Sequence, residues 1–190
     1  APVTGSPVVV TLSNGQTITI PVGASSASVN FTAPNDALAG GNSLSVKIDD
    51  AKGGNYEKLE VDGKSADTSV TDTPDTTNLS LTATGAVDEG GQITYTATLT
   101  NAAGTPVTVT LSNGAVITIA AGATSGSVTV DAPKDDVYKD AGQVEVTIKD
   151  AAGGNFENLA TSPAAAVTTV TDTIDTSTVS LTATANVAEG

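Results

Sequence analysis

VTDTPDTTNLSLTAT, Val70 to Thr84, returns as VTDTIDTSTVSLTAT, Val170 to Thr184, at an offset of 100 residues. A period of that length is too long for a solenoid coil of roughly 20 to 50 residues and fits one small autonomous domain. The echoes extend outward from this pair. LSNGQTITI from Leu12 reappears as LSNGAVITI from Leu111, and DDAKGGNYEKL from Asp49 as KDAAGGNFENL from Lys149. The first offset is 99 and the second 100. One residue is therefore inserted between Ala132-Pro133-Lys134-Asp135 and Val144 relative to Ala33-Pro34-Asn35-Asp36 and Leu44, which marks a loop.

Between the two copies of the quoted stretch the apolar residues keep period two. Ile93, Tyr95, Ala97 and Leu99 alternate with Thr94, Thr96, Thr98 and Thr100, the pattern of a half-buried strand. The same alternation covers Leu79 to Ala83, Val107 to Leu111, Ile117 to Ile119, Val128 to Val130, Val144 to Ile148 and Val167 to Thr171. Seven short strands per repeat, divided by turn signals such as Ser112-Asn113-Gly114 and Gly153-Gly154-Asn155, predict an all-β chain of tandem immunoglobulin-like antiparallel β-sandwiches. In this phase residues 1–75 are an incomplete first repeat lacking its first two strands. Residues 76–175 are a complete repeat, and residues 176–190 are the first strand and turn of a third. An incomplete sandwich exposes an edge and half a core. The C-terminal strand Val179 to Thr184 of one molecule is thus expected to partly complete the first repeat of the next, head to tail, because it supplies one of the two missing strands.

Composition narrows the chemistry. The 190 residues carry 21 acidic and 7 basic side chains, a net charge of −14, with no His and no Cys, and every basic residue is Lys. A Ser-His-Asp triad, a Cys-His dyad, His-ligated zinc and an arginine clamp on phosphate are excluded, so no enzyme is expected. The charge has the wrong sign for nucleic acid or an anionic membrane. No stretch approaches the roughly 18 to 20 apolar residues that span a bilayer, and without a leader before Ala1 the chain reads as a soluble, excised piece. Five aromatic residues supply little core, so a bound metal is a candidate staple.

Strand direction sorts the acidic residues into two poles. One pole gathers Asp88 and Glu89, the loop Lys134 to Gly142 with Asp135, Asp136 and Asp140, and the end of the last strand with Asp172 and Asp175. Glu189 stands one repeat beyond Glu89. The junction of the first and second repeats is expected to draw on Asp36, Asp72 and Asp75 together with Asp150, Asn155 and Glu157. Carboxylates about 4 Å apart repel by about 4 kcal/mol per pair at an effective dielectric near 20, unless a cation or a proton intervenes. Calcium suits such a set, because it takes about six to eight oxygen ligands and needs no nitrogen or sulfur. The metal candidates are Asp36, Asp72, Asp75, Asp88, Glu89, Asp135, Asp136, Asp150, Asn155, Glu157, Asp172, Asp175 and Glu189. A solvated acidic linker is the alternative reading of Thr71-Asp72-Thr73-Pro74-Asp75-Thr76. The spacing is not that of an EF-hand loop, and Gly-Gly-Asn at Gly53 and Gly153 reads as a turn rather than an anion cradle.

Together, Val-Ser-Leu-Thr-Ala-Thr from Val179, Val-x-Glu-Gly-Gly from Val87, Thr-Pro-Val-Thr-Val-Thr-Leu-Ser-Asn-Gly from Thr105, Asp-x-x-Gly-Gly-Asn from Asp150 and Thr-Val-Thr-Asp-Thr-x-Asp-Thr from Thr169 resemble the tandem extender repeats of giant bacterial RTX adhesins. The resemblance covers essentially the whole chain. It implies an extracellular, cell-surface array of immunoglobulin-like domains between an anchor and a distal ligand-binding tip, with calcium stiffening the links between neighbouring repeats of one polypeptide. Glu89, Asp172 and Asp175 recur as Glu189, Asp72 and Asp75, whereas Asp88 gives way to Ala188. A carbohydrate- or surface-binding module is the rival reading, disfavoured by the absence of Trp and the presence of only three Tyr.

Overall fold

A computed structural model describes all residues, Ala1 to Gly190, in two compact units, Ala1–Pro74 and Asp75–Gly190. The fold is all-β, and no helix is long and apolar enough to cross a membrane.

The second unit holds ten strands: β5 (Thr76–Ala83), β6 (Ala86–Asp88), β7 (Gln92–Leu99), β8 (Val107–Leu111), β9 (Val116–Ile119), β10 (Ser125–Asp131), β11 (Gly142–Val146), β12 (Ile148–Gly153), β13 (Asn158–Thr161) and β14 (Ala166–Thr171). They form sheets in the orders β10-β7-β5-β13, β11-β14-β6 and β12-β8-β9. The alternation in β7 is realised as expected: Ile93, Tyr95, Ala97 and Leu99 are buried against Leu79 and Leu81 of β5, Val107 to Leu111 of β8 and Ile117 and Ile119 of β9. Side chains from every sheet meet in one core, which is the sandwich arrangement. The expected strand Val144 to Ile148 is split at Thr147. Its first part, β11, pairs with β14 and its second, β12, with β8, so the chain changes sheets there. Two pairings depart from the antiparallel expectation, because β13 lies parallel to β5 and β14 parallel to β6. A period-two pattern shows which residues face inward but carries no strand direction.

The first unit holds fewer strands. Its strands β1 (Val8–Leu12), β2 (Thr17–Ile20), β3 (Asn42–Gly53) and β4 (Ser65–Val70) form one sheet, β2-β1-β3-β4. The counterparts of β5 and β7 are missing from these residues, and the segments that would pair with them lose their strands. In the second unit β10 pairs with β7 and β13 with β5. The corresponding residues 26–32 and 58–61 form no strand, and Val29, Phe31, Leu59 and Val61 are exposed. Only Val3, Val8 and Val10 are buried. Residues 176–190, read as a third repeat's first strand and turn, likewise form no strand, since a single strand has no ladder to join.

Both units keep the Gly-Gly turn. A Cβ on Gly153 would strike the Pro106 carbonyl oxygen and one on Gly154 the Phe156 ring, as Gly53 and Gly54 would strike Pro7 and Tyr56. The motif is therefore a close-packed turn.

Ile117 is fully buried whereas its counterpart Ile18 is half-buried. Ile117→Ala is expected to cost the second unit about 2–5 kcal/mol. Ile18→Ala should cost the first unit less than half as much, read as separate shifts in thermal unfolding of the two variants.

Candidate metal centre

Sheet register assembles the acidic groups. In β11-β14-β6, Gly142 faces Val170 across the antiparallel ladder, and Thr171 lies beside Asp88 in the parallel one. Extending both ladders by one or two residues sets Asp140 opposite Asp172 and Glu89 alongside it. The side chains of Glu89, Asp140 and Asp172 accordingly converge, each offering a carboxylate oxygen within 4.8 Å of the others. The Glu89 turn is tied on three sides: Glu89 N–H donates to the Thr171 carbonyl at 3.0 Å, Gly90 N–H to the Pro133 carbonyl at 2.7 Å, and Gly91 N–H to the Asp88 carbonyl at 3.0 Å. Gly90 takes φ +69°, a conformation that glycine adopts without strain. A pocket of about 220 Å³ opens here between Glu89, Asp140, Gln143, Val144 and Val170.

The electrostatics of this cluster are those of a site built for a positive charge. Glu89 is only 8% exposed, and its Oε2, like Oδ1 of Asp172, is buried with no hydrogen-bond donor. A proton shared with Asp140 is the largest influence on Glu89. Burial and the charges of Asp140, Asp172 and Asp136 add to it, and together they raise Glu89 to about 7. An oxygen-only set of three carboxylates, two of them with a buried oxygen that has no hydrogen-bond partner, would suit a hard cation rather than a thiolate- or imidazole-seeking metal.

The other residues singled out from sequence fall into three groups. Asp88, Asp135 and Asp136 serve the loops: Asp88 accepts from the Thr171 hydroxyl, Asp135 from the Thr173 hydroxyl, and Asp136 from Tyr138 N–H at 2.7 Å. Asp175 lines a second, open pocket with Asp172 and Tyr138, and Glu189 is fully exposed. At the start of the parallel pair β5 and β13, where Thr76 lies beside Asn158, Asp75 N–H donates to Glu157 Oε2. Asp150 is exposed at the register shift in β12, and Asn155 takes φ 53° in the Gly-Gly turn. In the first unit, Asp36 accepts from Leu38 N–H at 2.9 Å and Asp72 from Gly40 N–H at 3.0 Å, and both line a cavity of about 20 Å³. Asp140 is the member of this cluster that the sequence reading left out of its metal candidates. The signal was the inserted loop residue: the offset of 100 that holds from Val144 onward aligns Asp140 with Gly40, so the first repeat shows no acid there.

The sandwich architecture is shared by many cell-surface domains. The LapA domain model matches residues 2–73 and again residues 75–173, most of the chain, and the chain belongs to that family of cell-surface, adhesion-related domains. No curated protein and no solved structure matches it.

Because folded Glu89 binds its proton more tightly than unfolded Glu89, the native state holds the extra proton between about pH 4.5 and about pH 7. In chelator, the stability of the second unit is expected to fall as pH rises through that window and to stay low above it. Glu89→Gln should remove this component, measured as the difference between the two melting-temperature profiles against pH.

Proposed function

We propose that the chain is a spacer of a cell-surface adhesin, a run of extender repeats that projects a distal adhesive region and is stiffened by calcium at the acidic poles of its repeats. The carrying observation is the Glu89, Asp140 and Asp172 cluster with its buried, donorless oxygens. The kinship with cell-surface adhesion domains and the resemblance to RTX extender repeats both support the reading. Three side chains leave ligand positions for water or for oxygens of a neighbouring repeat, because calcium takes about six to eight. The partners in this reading are the adjoining repeats of the same polypeptide, and the location is extracellular.

Linkage supplies the mechanism. An ion that binds only when two repeats are aligned shifts the population toward the extended array. Extracellular sites bind calcium at about 10⁻⁴ to 10⁻³ M, so the outside of a cell fills them and the inside does not. The chain would leave the cell pliant and stiffen beyond it. Small-angle scattering should give a longer maximum dimension in calcium than in chelator, and superimposable profiles would rule the stiffening out. Glu89→Gln and Asp172→Asn should each weaken calcium binding by about tenfold or more in titration calorimetry, since affinity follows the charge of the ligand set.

A further inference from the structure

The two repeats build the same corner of the fold around different residues. In the second unit Gly142 faces Val170 across the antiparallel ladder, and in the first Asn42 faces Val70 in the same way, at the offset of 100. The loop leading into this corner is held at the same offset by a matching turn, since Asp136 accepts from Tyr138 N–H at 2.7 Å and Asp36 from Leu38 N–H at 2.9 Å. Between these two anchors no residue is gained or lost. Gly40 therefore stands in the first unit where Asp140 stands in the second, and each approaches the aspartate just past the ladder, Asp72 or Asp172.

What that aspartate meets is inverted between the two. Gly40 takes φ +132°, a conformation that strains any residue with a side chain, and its N–H donates to Asp72 Oδ2 at 3.0 Å. Asp140 keeps a negative φ. Its side chain brings a carboxylate oxygen within 4.8 Å of those of Glu89 and Asp172, and Oδ1 of Asp172 is buried with no hydrogen-bond partner. One aspartate is thus answered by a hydrogen-bond donor and the other by a further negative charge. A backbone N–H stabilises a carboxylate in its charged form. Converging carboxylates repel until a cation or a proton comes between them.

We infer that the residue at this loop position sets how strongly a repeat calls for a divalent cation: Asp140 makes the second unit's pole depend on one, whereas Gly40 lets Asp72 rest on a backbone donor. The inference builds on the calcium reading of the Glu89 cluster, and adds that repeats of one polypeptide differ in their calcium demand. Affinity for calcium follows the number of charged ligands, so a pole with aspartate in the loop fills at lower calcium than a pole with glycine there. A spacer assembled from such repeats hardens in steps as calcium rises, rather than all at once.

Three full-length variants test this: Asp140→Asn, Asp140→Gly and, as a charge control, Glu145→Gln, which removes an exposed carboxylate of β11 outside the cluster. In calcium titration calorimetry the two Asp140 variants should bind about tenfold or more weakly than the unaltered chain, with Glu145→Gln unchanged. Melting in chelator should move the other way. Asp140→Asn is expected to melt higher than the unaltered chain, because one of three repelling charges is gone, and to gain less when calcium is added. The inference is overturned if the Asp140 variants bind calcium as tightly as the unaltered chain, if Glu145→Gln weakens binding as much as they do, or if Asp140→Asn melts lower in chelator. Calcium binding that survives the loss of Asp140 but falls with Glu89→Gln removes this inference alone and leaves the spacer reading standing, whereas an unaltered chain that takes up no calcium removes both.

Discussion

Two parallel strand pairings hold together most of what gives this chain its chemistry. In an otherwise antiparallel sandwich, β5 runs alongside β13 and β6 alongside β14. Parallel neighbours begin and end together, so their flanking residues lie side by side. At the start of the first pair this puts Asp75 against Glu157, and at the end of the second it puts Glu89 against Asp172. An antiparallel partner would have carried the second carboxylate to the far end of the domain. The crowding of negative charge is thus a consequence of strand direction, and β11 adds Asp140 from the other side of β14.

Crowding of this kind is tolerated because the surrounding structure over-determines it. Glu89 sits in a turn fixed by three backbone hydrogen bonds to two other segments, and its burial removes water from the one acid that faces two others. Such an arrangement opposes folding unless a proton or a cation relieves the repulsion. Loop carboxylates nearby, Asp88, Asp135 and Asp136, already have donors from Thr171, Thr173 and Tyr138, and they brace the cluster instead of joining it.

The sandwich was legible because Thr and apolar residues alternate so strictly in Ile93 to Thr100, and because the repeat allowed every strand to be read twice. Glu89 and Asp172 stood out as members of one acidic cluster for the same reason, each recurring at the offset of 100. Register was not. Asp140 stands at a position that is Gly40 in the first repeat, and only the pairing of Gly142 with Val170 reveals that it faces Asp172. Loss of strand at residues 26–32 and 58–61 was also hidden, since their composition still favours strand and only the missing neighbours decide the outcome.

In the proposed spacer, the pairing of β6 with β14 would bear on how the second unit carries load. Tension along the polypeptide enters the second unit near Asp75 and leaves near Asp172, pulling the segment that contains β6 and the strand β14 in opposing senses along their own axes. Thr169, Val170 and Thr171 are laddered to Ala86, Val87 and Asp88 across that line of pull. Such a patch is sheared, with its bonds strained simultaneously, instead of being peeled open one rung at a time. A domain wired this way resists traction by geometry alone, at the end where its acidic cluster sits.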